Sequence, residues 1–112
     1  MKVRLTDNRI SLRLSEEDVL ALQSSDVVSV SVALSRDEGL RFELATESRI
    51  GDIRVSMDGS IIRILLPESW LADWQRDDRI GFDSVVPSGA GSELHVNVEK
   101  DLRWFKRKPA AD

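Results

Sequence analysis

Polar and apolar residues alternate along most of this chain, and the alternation gives way in two short stretches to a spacing of three or four. Val3 and Leu5 share one face between Lys2 and Thr6, and after the turn pair Asp7-Asn8 the residues Ile10, Leu12 and Leu14 do the same. A period of two marks half-buried strands, and Asn tolerates the left-handed backbone that a tight hairpin needs. Ser15 then stops the strand and opens a short helix in which Val19 and Leu22 face the core. Its hydroxyl is placed to accept from the Asp18 amide, so that Ser-x-x-Asp approximates a capping box, and Glu16, Glu17 and Asp18 put negative charge where the helix dipole favours it. The helix is predicted to end near Ser24-Ser25. Asp26 opens a third strand with Val28, Val30 and Val32 inward. Arg36-Asp37-Glu38-Gly39 is a polar turn, and Leu40, Phe42 and Leu44 mark a fourth strand.

The same order returns 52 residues later. Ile53, Val55 and Met57 predict a strand, Asp58-Gly59 a hairpin turn, and Ile62, Ile64 and Leu66 the next strand. Pro67 suits the first position of a helix whose apolar face is Trp70, Leu71 and Trp74. Asp78 opens a strand with Ile80 and Phe82, Pro87 to Ser92 is a flexible loop, and Leu94, Val96 and Val98 close the last strand. Aligned without a gap, the copies share eight identities over 45 positions, among them Ile10/Ile62, Gln23/Gln75 and Asp26/Asp78. The apolar register adds Val19/Leu71, Leu22/Trp74, Val28/Ile80, Phe42/Leu94 and Leu44/Val96. A fixed-period match argues for a duplicated unit before any other fold. The expectation is a single α+β domain over residues 1–112, with internal repeats 2–47 and 54–99 and a basic tail 100–112. Its architecture is a small, mostly antiparallel barrel of two intertwined strand-strand-helix-strand-strand halves with pseudo-twofold symmetry.

Composition narrows the function more by exclusion than by assignment. A chain of 112 residues that is 41% hydrophobic has one core. The absence of cysteine removes disulfides and thiolate chemistry. No apolar run is long enough to span a membrane, and no secretory signal opens the chain, so a soluble cytoplasmic protein is expected. The net charge of −4 is uneven: residues 1–14 carry +3, residues 99–112 carry +2 and the middle carries −9.

Several short motifs carry resemblances. Ser25-Asp26-Val27-Val28 and Asp77-Asp78-Arg79-Ile80 look like the "GD box" turn of cradle-loop barrels. Val3-Arg4, Asn8-Arg9 and Leu12-Arg13-Leu14 followed by a helix resemble MazE-type antitoxins and AbrB-type regulators, with Asp7, Arg9 and Ser15 departing from the turn glycine, serine and proline of that pattern. In those families two chains interlock hairpins into a swapped-hairpin barrel, and a tandem copy would let one chain build it alone. The chain from about residue 2 to 102 is also similar to a family of short uncharacterised bacterial proteins, through Lys2-Val3-Arg4, Asn8 to Leu14 and Val98-Glu99-Lys100-Asp101-Leu102. That resemblance implies no activity.

Weighed as chemistry, most polar groups have structural explanations. His95 is the only histidine and has no second His or any Cys to share a metal. Glu16, Glu17 and Asp18 are explained as helix-start charges, and Gly89-Ala90-Gly91 follows no strand-to-helix phosphate geometry. No catalytic residue, cofactor or metal is therefore expected. The functional candidate is the first hairpin, where Arg4, Arg9 and Arg13 alternate outward with Asn8 at the tip. The plainer alternative is a solvated strand face. The MazE/AbrB resemblance implies contact with duplex DNA, as a pseudo-dimeric monomer or as a homodimer. The rival reading is a protein-interaction module, its partner toxin-like or other, in which Trp104, Phe105, Lys106 and Arg107 make the contact. The plainer reading of those residues, and the favoured one, is a strap over the end of the barrel.

Overall fold

The computed structural model describes residues 1–89 and 91–103. Eight strands and two short helical segments follow one another as β1 (Lys2–Thr6), β2 (Arg9–Leu14), α1 (Glu16–Gln23), β3 (Val28–Ala33), β4 (Gly39–Glu47), β5 (Arg54–Asp58), β6 (Ile61–Pro67), a 3-10 turn (Glu68–Leu71), β7 (Gly81–Pro87) and β8 (Glu93–Lys100). The fold is mixed α+β and dominated by strands, which form two four-stranded sheets. The first sheet has the order β1-β2-β8-β7 and the second β3-β4-β6-β5. Each takes one hairpin from residues 2–47 and one from residues 54–100, joined through a central parallel pair: β2 with β8 and β4 with β6. The four remaining pairings are antiparallel.

Among the described residues no backbone pairing joins the two sheets, so the expected closed barrel does not form. β1, β7, β3 and β5 are open edges. What holds the sheets together is their apolar faces. Leu12, Leu14, Val96 and Val98 of the first sheet and Leu44, Ile64 and Leu66 of the second belong to one core, completed by Val19 and Leu22 of α1 and by Leu71 and Trp74. The alternation of each strand places these side chains on the face that the opposite sheet covers.

The first helix forms as its residues dictate. Ser15 Oγ accepts from the Asp18 amide at 3.2 Å and Asp18 Oδ2 accepts from the Ser15 amide at 3.0 Å, which completes the capping box. Burial works against the charge on Asp18, but the Met1 ammonium at 2.9 Å and the hydrogen bonds from Ser15 hold its carboxyl below the usual value. At the other end Ser25 adopts φ 65°. The Ser25 amide donates to Leu22 O at 3.0 Å and the Asp26 amide to Ala21 O at 2.9 Å, the paired closure of a Schellman motif.

The segment 54–100 departs from the segment 2–47 at this point. Its helix is reduced to the four-residue 3-10 turn Glu68–Leu71. Trp70 and Trp74 therefore do not stand on successive turns of one α-helix. They flank Phe82 instead, Trp70 stacked at 5.0 Å and Trp74 tilted at 4.8 Å between ring centroids. Trp74 is fully buried, and its indole N–H donates to Arg79 O at 2.8 Å. Asp78 does not open β7, which starts at Gly81, and Ile80 is 51% exposed rather than core. The hairpin registers give the reason. Val3↔Leu12 in the first hairpin corresponds to Val55↔Ile64 at the 52-residue offset, which Gln23 and Gln75 also keep. Val28↔Leu44 corresponds to Phe82↔Val98, two residues beyond that offset. The segment 54–100 thus carries two more residues between Trp74 and Phe82 than the segment 2–47 carries between Leu22 and Val28. The ungapped pairs Val28/Ile80, Phe42/Leu94 and Leu44/Val96 are corrected to Val28/Phe82, Phe42/Val96 and Leu44/Val98.

Candidate nucleic-acid interface

The first hairpin pairs Lys2↔Arg13, Arg4↔Ser11 and Thr6↔Arg9, so the loop between β1 and β2 is the two residues Asp7-Asn8. Asn8 takes φ 61°, the left-handed conformation its side chain tolerates. Its carbonyl accepts from the His95 amide at 2.7 Å, which ties the hairpin tip to the start of β8. Because Ile10, Leu12 and Leu14 point into the core, Arg9, Ser11 and Arg13 point outward on β2, and Lys2 and Arg4 stand beside them on β1. The structure thus brings Arg4, Arg9 and Arg13 to one solvent face of the first sheet, with Asn8 at its rim.

Sequence reasoning missed what the same face receives from the other half of the chain. β8 runs parallel beside β2, with Arg9↔His95, Ser11↔Asn97 and Arg13↔Glu99 in register, and β7 adds Asp83 opposite Asn97. Arg13 pairs with Glu99 at 3.5 Å. Arg9 donates to the Asn97 side-chain oxygen, and the Asn97 amide nitrogen donates to Asp83. Four cations, Lys2, Arg4, Arg9 and Arg13, therefore share this face with the carboxylates of Asp83, Glu93 and Glu99, and Asp101 just beyond β8 lies near Lys2. Asp83, Glu93 and Glu99 lie on the β8–β7 side, and Lys2 and Arg4 lie on the open edge. Lys2, Arg4, Ser11, Arg13 and Glu99 line a shallow groove across the strands of about 270 Å³. No local signal in β2 marks Glu99 or Asp83 as neighbours; only the parallel pairing of β2 with β8 does.

The outer face of the second sheet differs. Glu43 Oε2 accepts from Arg41 at 2.9 Å and Glu43 Oε1 accepts from Arg63 at 3.2 Å. The Arg41 guanidinium, with Arg63 beside it, holds the Glu43 carboxyl below its ordinary value. Ser56 and Leu65 stand where Arg4 and Arg13 stand in the first hairpin, so this face has no open basic edge of the same kind.

His95 faces outward between Arg9 and Val85. Among the described residues no three His, Cys, Asp or Glu side chains are grouped to hold a metal ion. No helix among them is long and apolar enough to cross a membrane. Trp104, Phe105, Lys106 and Arg107 lie outside the described residues. The model of a family of unknown function, DUF7009, matches residues 1–112. No curated protein matches the chain significantly.

Proposed function

The chain belongs to the family of unknown function DUF7009, and for this member we propose a non-enzymatic, MazE/AbrB-like regulatory domain that contacts duplex DNA through the outer face of its first sheet. The observation that carries this reading is the open basic edge: Lys2 and Arg4 on β1 with Arg13 beside them on β2. Phosphate contacts supply sequence-independent affinity, and cations on paired strands pointing the same way match a phosphate row. Lys2 and Arg4 make the first contacts. Arg13 joins by exchanging Glu99 for phosphate, a cheap exchange because an exposed ion pair contributes about 0–1 kcal/mol. Asn8 and Arg9 at the tip then reach toward the groove.

The finer fold reading belongs to the same proposal: a duplicated swapped-hairpin unit in which the second copy has lost the basic face. It is supported by the exchange of hairpins between halves and by the matched registers. It is also supported by Gln23 and Gln75, the same position in each copy, whose side chains hydrogen-bond to each other. A hydrogen bond from the Arg41 amide to Ser60 O at 3.0 Å occupies the place that the His95–Asn8 bond holds in the other half.

Each phosphate contact adds about −0.9 to the slope of log affinity against log salt, so two or three contacts give a shallow slope of roughly −2 to −3. Fluorescence anisotropy on mixed-sequence duplex across a salt series measures it. Arg4→Ala/Arg13→Ala is expected to flatten the slope by about 2, and Glu99→Gln to strengthen binding, because it frees Arg13 and removes a carboxylate from the face. Unchanged affinity in the double variant removes the hairpin from the account. No binding even at low salt retires the nucleic-acid reading and leaves the protein-interaction module, with Trp104 and Phe105 the next residues to substitute.

A further inference from the structure

Open sheet edges are templates for further strands, and proteins blunt them with charge or proline. Three of the four edges here carry such residues: Lys2 and Arg4 on β1, Arg54 and Asp58 on β5, Asp83 and Pro87 on β7. β3 carries none. From Val27 to Ser35 the chain reads VVSVSVALS, nine residues without a charge, a proline or a glycine.

The backbone of this strand is set up for one more pairing. The Leu34 amide donates to Glu38 O at 2.9 Å, and the register pairs Val32 with Leu40, Val30 with Phe42 and Val28 with Leu44. In an antiparallel ladder alternate residues direct both backbone groups to the same neighbour. Val28, Val30 and Val32 therefore spend theirs on β4, and Ser29, Ser31 and Ala33 direct their N–H and C=O groups to the open side. Val27, Val32 and Leu34 remain 53%, 47% and 67% exposed along the same stretch.

We infer that the β3 edge is a homodimer interface, at which a second copy of this chain adds its own β3 antiparallel about a two-fold axis at Ser31. The strand is self-complementary. With Ser31 on the axis, Ser29 of one copy lies opposite Ala33 of the other, and Val30 lies beside Val32 on the inner face. Every edge donor then meets an acceptor, valine meets valine on the inner face, and on the outer face each Ser31 Oγ accepts from Arg41 of its own sheet at 3.4 Å. A two-fold axis at the centre of β1 would place Arg4 against itself; β5 and β7, centred on Ser56 and Ser84, carry charges or a proline within the strand, and β3 carries neither. The two second sheets merge into one of eight strands, and because the contact is isologous it consumes both β3 edges and stops at two copies. The inference does not depend on DNA binding: β3 lies in the second sheet and the basic face in the first.

Sedimentation equilibrium on the intact chain tests it, over roughly 1 µM to 1 mM. The wild type is expected to be a concentration-dependent dimer. Ser31→Pro deletes an N–H that faces the open edge and leaves the β3–β4 ladder intact, and Ser31→Lys places charge on the axis. Each is expected to weaken dimerisation at least about tenfold with the circular dichroism spectrum unchanged. Ser56→Lys on the β5 edge is expected to leave it untouched. Because the chain has no cysteine, Ser31→Cys supplies a direct reading of register. Across the axis the two Cα atoms stand about 5.5 Å apart, within disulfide range, whereas Ser29→Cys does not bring its thiols together. Mild oxidation is therefore expected to link Ser31→Cys and not Ser29→Cys. A wild type that stays monomeric at the highest concentration overturns the inference. So does a dimer that survives both Ser31→Pro and Ser31→Lys, or one that Ser56→Lys abolishes, or cross-linking as efficient at residue 29 as at residue 31.

Discussion

At the scale of single residues, the backbone conformation of Ser25 is the most economical test of the helix end. Ser25 sits at φ 65°, where a Cβ is crowded, and there it serves as the left-handed residue of the Schellman closure. Glycine meets no such penalty. Ser25→Gly is therefore expected to raise stability by about 0.5–1 kcal/mol, read as a higher urea midpoint with an unchanged slope. A loss of stability would mean that the Ser25 side chain makes a contact worth more than the strain it carries. Gly81 illustrates the opposite case. A Cβ there would come within 2.4 Å of Val98 O and 2.8 Å of Glu99 Cα, so the start of β7 accepts no side chain without moving β8.

At the scale of elements, the two halves of the chain solve the same burial problem with different parts. α1 buries Val19 and Leu22 from a capped helix. The second half buries Leu71 and Trp74 from a 3-10 turn and the segment after it, steadied by Lys100, whose ammonium donates to Asp77 O at 2.7 Å and lies 5.5 Å from the Trp74 ring. Trp74→Ala is expected to cost about 3–5 kcal/mol and Leu22→Ala about 2–5, because each empties a fully enclosed site. Ile80→Ser is expected to stay within about 0.5 kcal/mol, because Ile80 is half exposed and lies outside the core. Chemical denaturation of the three variants checks both halves of that statement. A large loss at Ile80 would restore the ungapped alignment.

At the scale of the whole molecule, neither half has a complete sheet. Residues 2–47 supply β1-β2 to one sheet and β3-β4 to the other, and each hairpin's inner strand pairs with a strand from residues 54–100. A two-stranded hairpin is marginal alone. Fragments 1–50 and 51–112 are therefore each expected to be unfolded, and equimolar mixing is expected to restore the dispersed NMR spectrum of the intact chain. A fragment that gives a dispersed spectrum as a monomer would show that the hairpins do not need each other.

The features legible in the sequence were the local ones. Alternation pointed to eight strands, of which the seventh starts at Gly81 and not at Asp78, and the Ser15-x-x-Asp18 box located the start of α1, since both depend only on side-chain period and on groups a few residues apart. The outward set Arg4, Arg9 and Arg13 was legible for the same reason. The 52-residue offset pointed to two like halves, but it could not reveal the two extra residues before Phe82, because Ile80 and Phe82 satisfy the same alternation and only their burial differs. Tertiary structure alone decided that the sheets stay open rather than close into a barrel, because closure depends on whether distant strand edges meet. It also decided that Glu99 and Asp83 share the face of the basic hairpin, because a parallel pairing across some 90 residues leaves no trace in local spacing. The chain's own pattern determines which side of each strand is apolar, since that is a property of alternate residues. Which strands lie beside one another, and so which charges meet, is settled only when both halves bury those sides together.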